Sequence, residues 1–126
     1  MGDGGAPGCP GGAYCVQNAA PYPRALSLTD ALAQSPNTAF VKLLQATGVD
    51  ATVDMAVRLG MRSYNEPGTS GFGDQSLADM QKDQNLGSFT LGPVWINPLE
   101  LSNVAATLAS HGKWCPPSPI DSIATG

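Results

Sequence analysis

The stretch Ser35-Pro36-Asn37-Thr38 joins two segments of helical apolar periodicity, 31–34 and 39–44. A string of these residue types is first a helix-start signal, because Ser and Asn cap free backbone N–H groups and Pro suits a first helical turn. The same string sets a hydroxyl and a carboxamide two residues apart, at a junction where side chains can point into a cleft. These four residues alone are therefore compatible both with a helix cap and with a functional site.

Three short helices are predicted around this stretch. The first begins with a pattern like a capping box at Ser27, which has an acidic residue three positions further on. The second is ended by Gly48, which suits left-handed backbone, and the third is capped by Asp50. Apolar residues at helical spacing support these assignments. The predicted ranges are about 28–34, 37–47 and 51–59.

The second half of the chain alternates between loop and helix. Glycine and proline between 61 and 88 predict a long surface loop, with one polar helical turn at about 76–82. Asn97-Pro98-Leu99-Glu100 is the clearest helix start in the sequence, with an Asn cap, Pro at the first helical position and Glu at the third. The helix is expected to run to about Ser110 as an interior helix, with Leu101, Val104, Ala105 and Leu108 on one face. Ile120 and Ile123 alternate with polar residues and are compatible with an edge strand.

Composition excludes several classes of partner. The 126 residues carry a formal charge of −4, and 42% of them are hydrophobic, which suits one modest globular core. The lack of a basic cluster argues against nucleic acid and against an anionic membrane surface as partners. No apolar run approaches the ~20 residues that cross a bilayer, and residues 1–5 lack the layout of a signal peptide. We therefore expect any exporting or anchoring segment to lie in sequence beyond this chain.

The cysteines and the single histidine do not define a metal or catalytic centre. Cys9, Cys15 and Cys115 form no Cys-x-x-Cys pair, which argues against a zinc site, and no metal or cofactor is predicted. One disulfide and one free thiol are compatible with an oxidising compartment, but the spacing does not fix the pairing. His111 has no acidic residue near it in sequence, so we expect a residue at a helix end instead of a member of a triad.

Two other stretches resemble catalytic motifs only in part. Ser110-His111-Gly112-Lys113 matches Ser-x-x-Lys, in which a lysine lies one helical turn after a nucleophilic serine, but Gly112 is expected to break that turn. Ala124-Thr125-Gly126 lacks the lysine of a Lys-Thr-Gly strand motif. Neither stretch is therefore assigned a catalytic role.

Ser35-Pro36-Asn37, preceded by Leu-Thr-Asp-Ala-Leu at 28–32, resembles the Ser-x-Asn motif of penicillin-binding proteins. This motif is the second of three in the serine transpeptidase and β-lactamase superfamily. Residues 86–112 are similar to the stretch that follows it in bifunctional, class A penicillin-binding proteins, where a Thr-Pro-Leu-Glu-Leu-Ala helix ends in Asn-Gly-Gly or a relative. Residues 14–18 resemble the Tyr-x-Pro-x-Asn segment that often precedes the motif, and the cysteines resemble the actinobacterial branch.

The resemblance implies a mainly α chain, a partial helical subdomain of the α/β serine transpeptidase or β-lactamase-like fold, with long loops and at most an edge strand at the C-terminus. Residues 1–24 would be a Gly/Pro-rich irregular lead-in, and residues 25–126 would be the central helical part of an incomplete transpeptidase domain. The family's Ser-x-x-Lys motif is absent before Tyr14, and its Lys-Thr-Gly or Lys-Ser-Gly motif is absent downstream. We therefore expect a fragment that is inactive alone.

In function, the resemblance implies part of a D,D-transpeptidase that cross-links peptidoglycan stem peptides through a serine acyl-enzyme and binds β-lactams. Ser35 would bond the lysine beside the nucleophile and relay a proton, Asn37 would orient the substrate, and Thr38 would cap the helix. The remainder of the domain would be a partner, and the membrane would be reached only through an anchor of the parent, on the extracytoplasmic face. The alternatives are a self-contained helical binding or scaffolding module, and a degenerate homologue that retains the fold for binding or regulation.

Overall fold

The structure is a computed structural model, and it describes residue 10, residues 15–120 and residues 122–123. These residues form five α-helices and two 3₁₀ turns, with no strand among them. The mainly α fold class predicted from the sequence is confirmed. The helices are α1 (Leu28–Gln34), α2 (Asn37–Thr47), α3 (Val49–Leu59), α4 (Leu77–Asp83) and α5 (Pro98–Ala109), and the 3₁₀ turns cover Arg62–Asn65 and Phe89–Leu91.

Local signals set the starts of the first helices. The Ser27 hydroxyl accepts the Asp30 N–H at 3.1 Å and donates to the Asp30 carboxylate at 2.6 Å, which confirms the predicted capping pattern of α1. Helix α2 has the predicted bounds. Helix α3 begins at Val49, earlier than predicted, because Gly48 at φ +87° ends α2 and starts α3 in one turn. Asp50 therefore lies in the first turn of α3, and its predicted capping role is wrong.

The core lies where α3 packs against α4. Val53 and Ala78 are both fully buried there, and Tyr64 of the first 3₁₀ turn is 3% exposed. The helical turn predicted at about 76–82 is confirmed as α4. It is not a polar turn of a surface loop, however, because Leu77, Ala78, Met80 and Gln81 bury one of its faces. The core cluster comprises Leu44, Val49, Val53, Val57, Tyr64, Leu77, Ala78 and Met80.

Helix α5 starts as predicted, but it is not an interior helix. The Asn97 side chain accepts the Leu99 N–H at 2.9 Å and so caps the helix. Among the residues of α5, all of them described, Thr107 alone is buried, whereas Leu101 and Leu108 are 53% and 61% exposed. Helix α5 approaches the end of α3 through Asn103 and Val104, which lie beside Gly60. Most of its predicted apolar face is therefore exposed, with Val104 half-buried.

The end of the chain forms no strand within the described residues. Ile120 and Ile123 are exposed, and Ile120 lies in irregular backbone after a run of prolines. The possible edge strand at this end is therefore absent from the described residues. Residues 124–126, which resemble Lys-Thr-Gly in part, lie outside them.

The described cysteines differ in state. Cys15 is disulfide-bonded, and Cys115 carries an exposed free thiol. Cys9 lies outside the described residues. Within the described part of the chain, no helix has the length and apolar character needed to cross a bilayer.

Candidate functional site

Ser35 occupies an unusual backbone position between α1 and α2. Its N–H donates to the Ala31 carbonyl at 2.7 Å, which closes α1, and its backbone is left-handed at φ +55°, ψ +47°. A serine that precedes a proline normally adopts extended backbone, so the surrounding structure must hold this conformation at a cost of about 1–3 kcal/mol. The Ser35 side chain is exposed, and its hydroxyl has no hydrogen-bond partner within the described residues. This hydroxyl is free to bond a group that approaches from outside.

Asn37 is the first residue of α2, and its carboxamide is held by a contact from far away in sequence. Its Nδ2 donates to the Gln17 backbone carbonyl at 3.0 Å. A carboxamide has two N–H donors and one carbonyl acceptor, so one donor is engaged while the other donor and Oδ1 retain bonding capacity. The turn therefore presents an exposed hydroxyl and an oriented carboxamide two residues apart.

The cap of α2 comes from the same distant segment. Pro36 stands at the N-cap position and makes no side-chain capping bond, whereas the Thr38 N–H donates to Asn18 Oδ1 at 2.9 Å. The prediction that the Thr38 side chain caps the helix is therefore wrong, because the acceptor that satisfies this end is an asparagine twenty residues upstream. A contact of this range has no local signal in the sequence.

A cavity of about 580 Å³ borders the turn but does not contain its functional groups. The residues that line it include Asn18, residues 22–26, Pro36, Thr38 and Lys42. Ser35 and Asn37 do not line it, so this cavity is not the cleft that the Ser-x-Asn pattern predicts.

Other polar groups serve the fold. The Glu100 carboxylate accepts the Ser63 N–H at 2.8 Å and the Ser63 hydroxyl at 2.7 Å, which joins α5 to the first 3₁₀ turn. Burial, and then the negative charge of Glu100, raise the pKa of Tyr64 above its usual value. The hydrogen bond from Lys82 to Asp54 is the main cause that raises the Lys82 pKa, and this pair lies on an exposed surface of α3 and α4.

The partial Ser-x-x-Lys match is not a catalytic pair in the structure. Helix α5 ends at Ala109, and the Ser110 hydroxyl lies within hydrogen-bonding distance of two backbone carbonyls, 2.7 Å from Lys113 O and 3.1 Å from Thr107 O. The predicted break of the helical turn is confirmed. His111 is exposed just beyond the helix end with φ +56°, as expected.

The described residues contain no group of three or more His, Cys, Asp or Glu side chains suited to a metal ion.

Comparison with known proteins defines the class of the chain. A family model described as the penicillin binding protein transpeptidase domain matches residues 6–125. The chain therefore belongs to the penicillin-binding protein transpeptidase domain family, and the predicted family is confirmed.

Two curated relatives agree with this family. Both are named peptidoglycan D,D-transpeptidase PbpA, one from Mycobacterium tuberculosis strain CDC 1551 / Oshkosh and one from strain ATCC 25618 / H37Rv. Each is 32% identical to the chain over 100 residues, which are 78% of this chain and 20% of the relative. The chain thus spans about a fifth of the length of these relatives. No solved structure matches the chain.

Proposed function

We propose that the chain is part of a D,D-transpeptidase domain, in which Ser35 and Asn37 form one wall of the active site. The domain would cross-link peptidoglycan stem peptides through a serine acyl-enzyme, and β-lactams would acylate the same serine. The observation that carries the proposal is the Ser35 turn itself: an exposed hydroxyl without a partner in the described residues stands two positions from an oriented carboxamide. The family match over residues 6–125 supports this interpretation of the turn.

Each side chain has the chemistry that its proposed role needs. The nucleophilic serine and its lysine would come from a Ser-x-x-Lys motif outside this chain. That serine loses its proton to the lysine as it attacks the penultimate D-Ala carbonyl, and the Ser35 hydroxyl passes a proton on to the departing amine. A hydroxyl suits this relay because it both donates and accepts.

Asn37 would orient the stem peptide. Because Gln17 engages one Nδ2 hydrogen, the other can donate to a backbone carbonyl of the substrate while Oδ1 accepts from the lysine ammonium. An acyl-enzyme formed in this way is resolved when the amine of a second stem peptide attacks it. Neither Ser35 nor Asn37 is a nucleophile in this scheme, and no cofactor or metal takes part.

The finer identity of the parent protein follows from the same resemblance. We propose a bifunctional, class A, actinobacterial penicillin-binding protein, anchored to the cell membrane with its domain on the extracytoplasmic face. Within it, residues 1–24 would lead into the central helical part of the transpeptidase domain at 25–126. The similarity of residues 86–112 to class A proteins supports the subtype.

A helical binding or scaffolding role is the second candidate. The exposed apolar side chains of α5, Leu101 and Leu108, favour it because an unpaired apolar face suits a partner. The sequence that flanks the chain in its gene separates the candidates. Intact Ser-x-x-Lys and Lys-Thr/Ser-Gly motifs support the transpeptidase, altered motifs support a degenerate homologue, and a start and a stop codon support the module.

The proposal is tested with a labelled penicillin and mass spectrometry. In the full-length protein, we expect one covalent adduct on a serine outside this chain, in a Ser-x-x-Lys motif. The isolated chain should give no adduct. A stoichiometric adduct on Ser110 would contradict the proposal, because Ser110 would then be the nucleophile. The absence of any adduct on the full-length protein would favour a binding role.

A further inference from the structure

We infer that Asn18 is a positioning residue for the Ser-x-Asn turn: its carboxamide fixes the start of α2 and thereby keeps the Gln17 carbonyl on Asn37. This inference rests on the proposed function of Ser35 and Asn37. It adds Asn18, a residue that acts only by holding other residues in place. Asn18 lies in a segment that supplies no group to the proposed chemistry.

The two contacts form one clamp. Gln17 O accepts from Asn37 Nδ2 at 3.0 Å, and Asn18 Oδ1 accepts from the Thr38 N–H at 2.9 Å. Adjacent residues of the lead-in thus bind adjacent residues of the helix. Because one bond is made by a backbone carbonyl and the other by a side chain, the Asn18 side chain is the part of the clamp that a substitution can remove.

The start of α2 needs this help from outside. Pro36 at the N-cap has no hydroxyl or carboxamide to accept a free N–H, and Ser35 is turned away in left-handed backbone. Helix starts of this kind leave backbone donors unsatisfied unless another group accepts from them. Asn18 supplies that acceptor, and it is half-buried against the turn. The first turn of α2, which carries Asn37, is therefore held in place by the lead-in.

The segment that carries the clamp has no regular structure of its own. Residues 15–18 form neither helix nor strand, so the bonds from Gln17 and Asn18 to α2 are what sets the position of these two residues against the helix. Loss of the Asn18 bond should let the Gln17 carbonyl move away from Asn37, and catalysis is sensitive to displacements of about 1 Å.

The test compares two asparagine caps in the full-length protein. Asn18→Ala removes the bond to Thr38, and Asn97→Ala removes the equivalent 2.9 Å bond from Asn97 Oδ1 to the Leu99 N–H at the start of α5. Both variants lose one cap and should lose similar thermal stability. We expect acylation by a fluorescent penicillin to slow about tenfold or more in Asn18→Ala and to stay within about twofold of wild type in Asn97→Ala.

Two further variants separate positioning from a general loss of stability. Asn18→Asp keeps an acceptor at the same place and should restore acylation to within about threefold of wild type. Asn18→Gln stays polar but moves the acceptor by one methylene, so it should slow acylation. This variant tests the inference even if Asn18→Ala folds poorly. In an Asn37→Ala background, Asn18→Ala should cause no further loss of rate, because it acts through Asn37.

The outcomes are distinct. Failure of the wild-type protein to be acylated overturns the proposed function, and the inference with it. A normal wild-type rate with equal losses in Asn18→Ala and Asn97→Ala overturns the inference alone. Rate losses that multiply fully in the double variant of Asn18 and Asn37 also overturn it, because the two residues would then act independently.

Discussion

Replacement of Gly60 by alanine should disturb the contact between α3 and α5. Gly60 ends α3 at φ +141°, ψ −3°, and its N–H donates to the Ala56 and Val57 carbonyls. A Cβ added there would lie 2.9 Å from Asn103 Oδ1 and 3.3 Å from the Val104 backbone nitrogen. The substitution therefore combines backbone strain with a clash against α5.

The expected cost has two parts. A side chain in a backbone region that favours glycine costs about 1–3 kcal/mol. Forcing an extra carbon into a packed contact costs about another 1–3 kcal/mol, because Val104 can yield only if the backbone of α5 moves. We expect Gly60→Ala to lower the free energy of unfolding by about 2–6 kcal/mol in total.

Gly48→Ala is the matched control. Gly48 has φ +87°, but a Cβ there would meet nothing within 4 Å, so this variant should carry the backbone strain alone. Urea denaturation followed by circular dichroism should place Gly60→Ala about 1–3 kcal/mol below Gly48→Ala. Equal losses in the two variants would refute the reasoning, because they would show that α5 does not pack on Gly60.

Three further predictions concern two polar side chains and the cysteines. In urea denaturation, Ser63→Ala should lower the free energy of unfolding by about 1 kcal/mol and Glu100→Ala by about 2–4 kcal/mol. The second loss is larger because only Glu100→Ala leaves the Ser63 N–H without an acceptor, and equal losses would contradict this reasoning. The raised pKa of Tyr64 makes a contribution to stability that is present below about pH 10 and is lost as pH rises through the folded-state pKa. Tyr64→Phe should remove this part of the alkaline loss in denaturation curves measured against pH, and an unchanged loss would count against it. In the unfolded protein without reductant, a maleimide should label Cys115 but not Cys15, and Cys15 should react only after reduction. Peptide mass spectrometry would show which cysteine is labelled, and labelling of Cys15 before reduction would exclude its disulfide.

The sequence predicts helices well where the signals are local. The Ser27 and Asn97 caps lie beside the helices that they start, so the starts of α1 and α5 are readable from the residues. Burial is decided by partners elsewhere in the chain. Helix α4 is predicted as a polar helical turn, because its charged residues hide the face that it buries, whereas α5 looks apolar but turns Leu101 and Leu108 to solvent.

The candidate site divides in the same way. The residue types at Ser35 and Asn37 are visible in the sequence, and so is the family that their neighbours resemble. The left-handed backbone of Ser35 and the bonds from Gln17 and Asn18 are not visible, because they depend on contacts across about twenty residues. The resemblance draws attention to the neighbourhood of Asn18, but only the structure shows what this residue contacts.

The most direct test of the proposed role of Ser35 and Asn37 is the rate constant for acylation of the full-length protein by benzylpenicillin. We expect Ser35→Ala and Asn37→Ala each to lower this constant by about a hundredfold or more, because they remove a proton relay and an orienting bond. Ser27→Ala and Asn97→Ala, which remove the same chemical groups from helix caps, should leave it within about twofold of wild type. Wild-type rates in Ser35→Ala and Asn37→Ala would contradict the account and leave the turn as a helix junction without a catalytic role.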